Sequence, residues 1–132
     1  MSAENAALVR GIYDNFARGD IPQVLAALDP RIEWIETDDP AMPHHGTHHG
    51  PQAVASGVFG VIMTHFDEFA VVPVRIHDAG DQIIVEGRAT GTTKAGRKLD
   101  APAAWVWTVA RGKAVRNVNY HDTGAWRQAL SA

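Results

Sequence analysis

The amino-acid sequence predicts one α+β domain, in which three helices and a short C-terminal helix pack on a strongly curved antiparallel sheet. Two observations carry this prediction. Apolar residues recur at helical spacing in the first half of the chain, whereas the part that follows residue 69 alternates as strands do. At 132 residues the chain has room for one core, so we expect a single domain over residues 1–132.

Two helices are predicted before the first strand. The first spans about residues 4–18 with one apolar stripe, and Gly19 ends it at a position that favours a left-handed residue. Asp20 begins the second helix, because its carboxylate can accept from the free N–H groups of the first turn. The Asp-Pro pair at 29–30 is predicted to stop that helix.

One strand, one loop and a third helix are predicted next. Residues 31–37 alternate as a strand, with Trp34 and Glu36 on the same face. The loop at 38–50 is rich in Pro, Gly and His and is longer than most connections, so we expect it to cover a pocket mouth. The third helix opens with a proline, and its apolar face extends over residues 54–66.

Four strands and a closing helix complete the predicted fold. The strands span about residues 69–78, 81–93, 98–110 and 113–122, and the helix spans 125–130. Short turns that contain glycine separate the strands, which is typical of hairpins in an antiparallel meander. The strand at 98–110 is apolar on both faces, so one face must be covered by something other than the helices. We therefore expect a homodimer that forms through the sheet.

Composition and charge exclude several classes of function. The formal net charge is −3 and no basic stripe is present, so we expect no nucleic-acid partner. Cysteine is absent, which removes disulfides and thiolate nucleophiles. The first residues lack the features of a secretory signal, and no apolar run approaches the ~20 residues of a membrane helix. We expect a cytoplasmic protein without a membrane partner.

The histidine-rich run at 44–49 invites a metal-site interpretation. His44 and His48 would share a face only in a helix, and Pro43 and Gly46 favour a loop instead. A closed metal site needs three or four fixed ligands, and no cysteine is interleaved here. We therefore expect no metal and no other cofactor.

Four motifs, taken in order, identify the chain as a member of the SnoaL-like branch of the nuclear-transport-factor-2-like (NTF2-like) superfamily. These motifs are Ile12-Tyr13…Phe16-Ala17-Arg18-Gly19-Asp20, Asp29-Pro30-Arg31-Ile32-Glu33-Trp34, His49-Gly50-Pro51-Gln52-Ala53-Val54 and Tyr120-His121-Asp122-Thr123. The resemblance spans nearly the whole chain. It implies a cone-shaped pocket between helices and concave sheet, usually without metal or cofactor and usually in a dimer. It implies no single reaction, because the family includes isomerases, cyclases, dehydratases and binding modules.

The resemblance indicates Glu36 as a general base. By an ungapped count from Asp20, Glu36 falls where the steroid isomerases of this superfamily hold their carboxylate base. Apolar surface such as the Trp34 indole strengthens a carboxylate as a proton acceptor. The alternative is a solvated glutamate at a strand end. The same count puts Ile12 and Ala104 where those isomerases hold the two groups of their oxyanion hole, so we expect a different reaction.

The last predicted strand offers further candidates on both of its faces. Asn117, Asn119 and His121 share one face, which the comparison with the isomerases turns toward the pocket, where a histidine serves as acid, base or donor. The alternative for the asparagines is a solvated face. SnoaL-like cyclases resemble this chain in an aspartate near the end of that strand, which makes Asp122 a rival base. Asp122 also precedes a short helix, and we favour a capping role for it.

The remaining candidates would form the walls of the pocket. We expect Tyr13, Trp34, Phe59 and Trp105 to line it with aromatic surface. Arg88, on a middle strand, either holds a polar group of the substrate or faces solvent.

Two functions remain open at this level. The first is acid–base chemistry of the isomerase, cyclase or dehydratase kind on a small, largely apolar metabolite, with Glu36, His121 and Asp122 as the candidate catalytic residues. The second is a module that binds or sequesters a small molecule without turnover. An enzyme needs a titratable group at the pocket, so the position of these three side chains distinguishes the two.

Overall fold

A computed structural model describes residues 2–131, and its helices and strands follow the predicted order. The helices are α1 (Ser2–Ala17), α2 (Ile21–Ala26), α3 (Pro51–Val54), α4 (Gly60–His65) and α5 (Thr123–Leu130). A π-helical segment, Ala55–Phe59, joins α3 to α4. The strands are β1 (Leu28–Ile35), β2 (Thr47–His49), β3 (Phe66–Ala79), β4 (Gln82–Thr93), β5 (Lys98–Ala110) and β6 (Lys113–His121).

The strands form one sheet in the order β2-β1-β6-β5-β4-β3. The four-stranded meander from β3 to β6 is antiparallel, as predicted, and β2 pairs with β1 in the same sense. The pair β1–β6 is parallel, because the long connection between these strands crosses from one end of the sheet to the other. This parallel contact sets the ends of β1 and β6 side by side, and the residues of the candidate site lie there.

Three boundaries differ from the sequence-based prediction. Helix α2 ends at Ala26, so Leu28 belongs to β1 and the Asp-Pro pair lies inside that strand. Residues 47–49 form the short strand β2 within the predicted loop. Phe66 begins β3 instead of extending the third helix, since its ring packs against Phe69 and Trp126 at centroid distances of 5.3 and 5.7 Å.

The core lies between the concave face of the sheet and the helices α1 and α4. On β5 the inward positions include the buried Trp105 and Trp107, while the alternate positions are half-buried or exposed. A break in the pairing register between Pro73 and Arg75 marks a bulge on β3, which is an edge strand and therefore tolerates a proline. Within residues 2–131, no helix has both the length and the apolarity needed to cross a membrane.

Candidate functional site

A cavity of about 50 Å³ lies between the concave sheet and the helices. Its walls are mostly aromatic, and its polar side chains come from β6 and from the segment that follows β1. These polar residues are Glu36, His44, Asn117, Asn119 and His121. Within residues 2–131, the lining contains no lysine and no arginine that could pair with the Glu36 carboxylate.

Glu36 is buried at one end of the cavity, with a side-chain exposure of 2%. The indole Nε1–H of Trp34 donates to its Oε2 atom at 2.6 Å, which fixes the carboxylate plane. The other oxygen, Oε1, lies 3.3 Å from His121 Nε2 and 3.6 Å from His44 Nε2. Among the described residues, Oε1 has no hydrogen-bond partner of adequate geometry. One carboxylate oxygen is therefore anchored, and the other is free to accept a proton.

Two backbone contacts hold Glu36 in this position. Its own N–H donates to the carbonyl of Gly46 at 2.9 Å, which closes the loop between β1 and β2. The side-chain amide of Asn119 donates to the carbonyl of Ile35 at 3.0 Å and ties β6 to the end of β1. Asn119 is therefore a positioning residue, and its amide is already engaged within the protein.

His44 belongs to the site although only the histidine run hinted at it. The loop folds back over the end of β1, so that His44 and Met42 are buried. The ring of His44 packs on Trp126 of α5 at a centroid distance of 5.0 Å. Arg127 Nη2 donates to Asp39 Oδ2 at 2.7 Å and fastens the same loop to α5. This segment forms the end wall of the cavity and contributes a side chain to it.

The protonation states of two cavity residues follow from burial. Burial lowers the pKa of His44 from 6.5 to about 4, although the nearby Glu36 carboxylate opposes the shift. His44 is therefore a neutral imidazole at neutral pH. Burial also raises the pKa of the Tyr13 hydroxyl, which accepts a hydrogen bond from Trp107 Nε1 at 2.9 Å. Tyr13 thus stays a neutral phenol.

Asn117 has an unusual environment for an amide. It is fully buried on β6, and neither its Nδ2 nor its Oδ1 atom has a hydrogen-bond partner among the described residues. Buried polar groups in folded proteins are nearly always paired, so an orphaned amide in a cavity wall indicates a binding group.

The structure brings most of the predicted residues together and leaves two outside. The predicted residues that line the cavity are Tyr13, Trp34, Glu36, Phe59, Trp105, Asn117, Asn119 and His121. Asp122 is exposed, and its Oδ1 accepts from the backbone N–H of Ala125 at 3.2 Å, so it caps α5. Arg88 is exposed and pairs with Asp100 at 2.6 Å, because its position on β4 faces away from the helices. Neither side chain lines the cavity: Asp122 has the capping position favoured from the sequence, and Arg88 has the solvent-facing position given as its alternative.

His44, Trp107 and Trp126 are among the cavity residues that sequence reasoning missed. Trp107 shares its strand face with Trp105, so alternation could have found it. Trp126 reaches the cavity only because α5 folds across the sheet, and no local pattern signals that contact.

The cluster of Glu36, His44 and His121 also has a geometry that metal ions accept. Each residue offers one ligand atom, and these atoms lie within 4.8 Å of one another. Ligands at tetrahedral angles around zinc are about 3.4 Å apart, close to the separations of 3.3 and 3.6 Å from Glu36 Oε1. These three residues could hold a divalent ion with one open position toward the cavity.

Comparisons with known proteins place this geometry in a family. The sequence profile of the SnoaL-like domain matches residues 9–117. An NTF2-like protein of unknown function from Burkholderia pseudomallei is 32% identical, with a TM-score of 0.90 and 98% of each chain covered. The comparison with curated proteins found no match.

Two more distant structures share the fold. TerC, co-crystallised with polyporic acid, is 22% identical with a TM-score of 0.90, covering 98% of this chain and 99% of that one. A protein provisionally named as a SnoaL-like polyketide cyclase, from Jannaschia sp., is 20% identical with a TM-score of 0.81, covering 98% and 93%. The chain therefore belongs to the family of SnoaL-like domains and has an NTF2-like fold.

Proposed function

We propose that this protein catalyses proton transfer on a small, neutral, largely apolar carbonyl compound, with Glu36 as the general base. The observation that supports it is the free Oε1 atom of Glu36, which is buried at the cavity and within 3.3 Å of His121 Nε2. A surface glutamate would have both oxygens solvated, and a structural one would have both paired.

The proposed reaction moves one proton. A C–H bond next to the substrate carbonyl breaks, its proton passes to Glu36 Oε1, and the electron pair moves into the enolate. The proton then returns to another carbon or to oxygen, either directly or through His121, whose Nε2 faces the same oxygen. His44, neutral and packed on Trp126, excludes water from this end of the cavity without adding a charge.

The lining supports a neutral and mostly apolar substrate. Aromatic side chains dominate the walls, and Trp34 contacts both Phe59 and Trp107 edge-to-face at 5.7 and 5.5 Å. An anionic substrate would bring a second negative charge beside Glu36 with no lysine or arginine to balance it. One structure with the same fold is provisionally named as a polyketide cyclase, which is consistent with chemistry on a carbonyl compound.

We also propose that two copies associate through the outer face of the sheet. Ala104 and Val106 of β5 and Val118 of β6 are only half-buried there, and Tyr120 is 57% exposed. These four residues, called the outer patch below, are neighbours in the β5–β6 register. The cavity opens on the opposite side of the sheet, so this association leaves it accessible.

Hydrogen–deuterium exchange tests the base without knowledge of the natural substrate. The protein is incubated in deuterium oxide with a panel of neutral aryl ketones that includes β-tetralone, and proton NMR follows the loss of the α-proton signal. We expect wild-type protein to accelerate the exchange and Glu36→Gln to return it to the buffer rate. Glutamine preserves the shape and an acceptor for Trp34, so the fold should persist.

Glu33→Gln is the matched control. Glu33 lies on β1, three residues before Glu36, with a side chain 44% exposed and paired with Arg116, so its replacement should leave the exchange rate unchanged. Unchanged exchange in Glu36→Gln contradicts the assignment of the base. Native mass spectrometry in parallel shows any retained ligand or metal. A retained small molecule without exchange on any ketone favours the binding module, and a stoichiometric metal reassigns Glu36 as a ligand.

A further inference from the structure

Asn117 faces the cavity without a partner for either of its amide atoms. In the register of the sheet it lies between Trp34 on β1 and Trp107 on β5. Both indole N–H groups are already engaged, with Trp34 donating to Glu36 and Trp107 donating to Tyr13. These two indoles therefore donate to other residues, and neither atom of the Asn117 amide is paired with another described residue.

The contrast with Asn119 shows that the lack of hydrogen-bond partners is not common to both asparagines of β6. Asn119 lies two residues further along the same face of β6 and donates to the carbonyl of Ile35. Leaving a donor and an acceptor both buried and unpaired destabilises a fold, so a structural role would favour an apolar residue at Asn117. A partner from outside the chain satisfies both atoms.

The chemistry of that partner follows from the amide. A primary amide presents an N–H donor beside a carbonyl acceptor, and a cis-lactam edge presents the complementary pair in the same plane. Trp34 and Trp107, the register neighbours of Asn117, line the cavity together with Tyr13 and Trp105, and such aromatic walls favour contact with a flat ring. The absence of lysine and arginine from the lining disfavours a carboxylate as the partner.

We propose that Asn117 is the recognition group for a neutral, planar ring compound that carries a hydrogen-bond donor next to an acceptor on one edge, as a cis-lactam or its enol-like tautomer does. This inference names the ligand class of the cavity to which the proposed function refers, and so it rests on that site. Asn117 pairs with Trp34 in the register, and Glu36 lies two residues beyond Trp34. The Cα atoms of Asn117 and Glu36 are therefore offset by about 7 Å along the strand direction, which is roughly the width of a fused ring.

Entry of such a ring requires side chains to move. The cavity volume of about 50 Å³ is smaller than the roughly 150 Å³ that admits benzene elsewhere. A surface depression of about 360 Å³ shares four lining residues with the cavity: Phe16, Phe59, Ile62 and Phe69. Rotation of these side chains joins the two spaces, and the π-helical segment that ends at Phe59 lies at this boundary.

Carbostyril, a bicyclic cis-lactam, and its N-methyl derivative test the inference as a matched pair of probes. Titrations followed by tryptophan fluorescence give the affinities, and heteronuclear NMR follows the side-chain amide signals of Asn117. We expect wild-type protein to bind carbostyril at least tenfold more tightly than the N-methyl compound and to shift the Asn117 signals. Asn117→Leu should remove that preference, whereas Tyr120→Phe, on the outer face of β6, should keep it.

Each other result overturns the proposal. Equal binding of both probes to wild-type protein, no binding of carbostyril up to its solubility, or binding that leaves the Asn117 side-chain signals unmoved contradicts the ligand class. The wild-type measurements decide the matter even where Asn117→Leu fails to fold. Glu36→Gln separates this inference from the proposed function. The variant should still prefer carbostyril over its N-methyl derivative, whether or not the wild-type protein accelerates ketone exchange.

Discussion

A neutral histidine beside a buried carboxylate sets the charge balance of the cavity. His44 loses its proton at neutral pH because its ring is enclosed by the folded loop and by Trp126. Glu36 then has one full indole hydrogen bond and two imidazole neighbours at longer range. This leaves its free oxygen available to a ligand, whereas a charged His44 would compete for it.

The His44 imidazole should make the fold sensitive to mild acid. Its pKa of about 4 in the folded state lies below the ordinary 6.5, so the unfolded chain binds more protons between these values. The contribution of the neutral His44 imidazole to the free energy of unfolding is therefore fully present above pH 6.5. It decreases as the pH falls toward 4, by at most about 1.4 kcal/mol per pH unit. Urea unfolding at several pH values, in the presence of EDTA, measures this slope.

The slope should be smaller in His44→Phe, which keeps an aromatic ring against Trp126 but cannot titrate. His65→Asn is the control, because His65 is exposed and its replacement should leave the slope unchanged. A wild-type protein whose stability is flat between pH 6.5 and 4 would show that His44 stays protonated or opens to solvent.

A sequence reveals the site residues whose position depends on nearby residues in the chain, and it misses those that distant contacts bring into the site. Strand alternation grouped Asn117 with His121, and the resemblance to the steroid isomerases indicated Glu36 and the face of the last strand that meets the pocket. His44 was not, since its burial comes from a loop that folds back and is fastened by Arg127. Asp122 had two local interpretations, and only the position of α5 distinguishes them.

At the scale of the elements, local signals predicted the kind of each helix and strand better than its ends. Glycine-containing turns fixed the meander from β3 to β6. The ends of α2 and of the third helix were wrong because buried contacts of Leu28 and Phe66 outweighed the helical pattern. The parallel pairing of β1 with β6 joins residues more than eighty positions apart, which no local pattern encodes.

The cap of α5 gives a prediction at this scale. Asp122 accepts from the N–H of Ala125 and begins the helix that carries Trp126 into the cavity. Asp122→Ala should lower the free energy of unfolding by about 1 kcal/mol, whereas Asp122→Asn, which is also a good cap, should leave it nearly unchanged. Thermal or urea unfolding measures both variants.

The same pair of variants separates the cap from a catalytic role. Asparagine cannot act as a base, so an Asp122→Asn protein of normal stability that lost ketone exchange would restore Asp122 as a catalytic candidate. We expect its exchange rate to match that of the wild-type protein.

The two faces of the sheet differ in what covers them. The concave face is covered by α1 and α4 and encloses the cavity, and the sequence predicted this division from the apolar composition of β5. The outer patch has no cover within the described residues, although Ala104, Val106 and Val118 are apolar. Contiguous apolar surface is typical of interaction sites, and in the proposed dimer an identical patch on a second copy would cover it by two-fold symmetry.

The proposed dimer predicts a clear response to one charge. Val106 lies on β5, inside the sheet, and its side chain is half-buried on the outer face. Val106→Lys should convert the protein to a monomer, because an unpaired ammonium at the centre of an interface of about 800 Å² per subunit is not compensated. Light scattering coupled to size exclusion measures the mass. Met63→Lys, on α4 at a side chain already 49% exposed, should remain a dimer.

A wild-type protein that is monomeric at micromolar concentration contradicts the dimer. A Val106→Lys dimer of normal stability would place the interface elsewhere on the molecule, and the outer patch would then be ordinary surface.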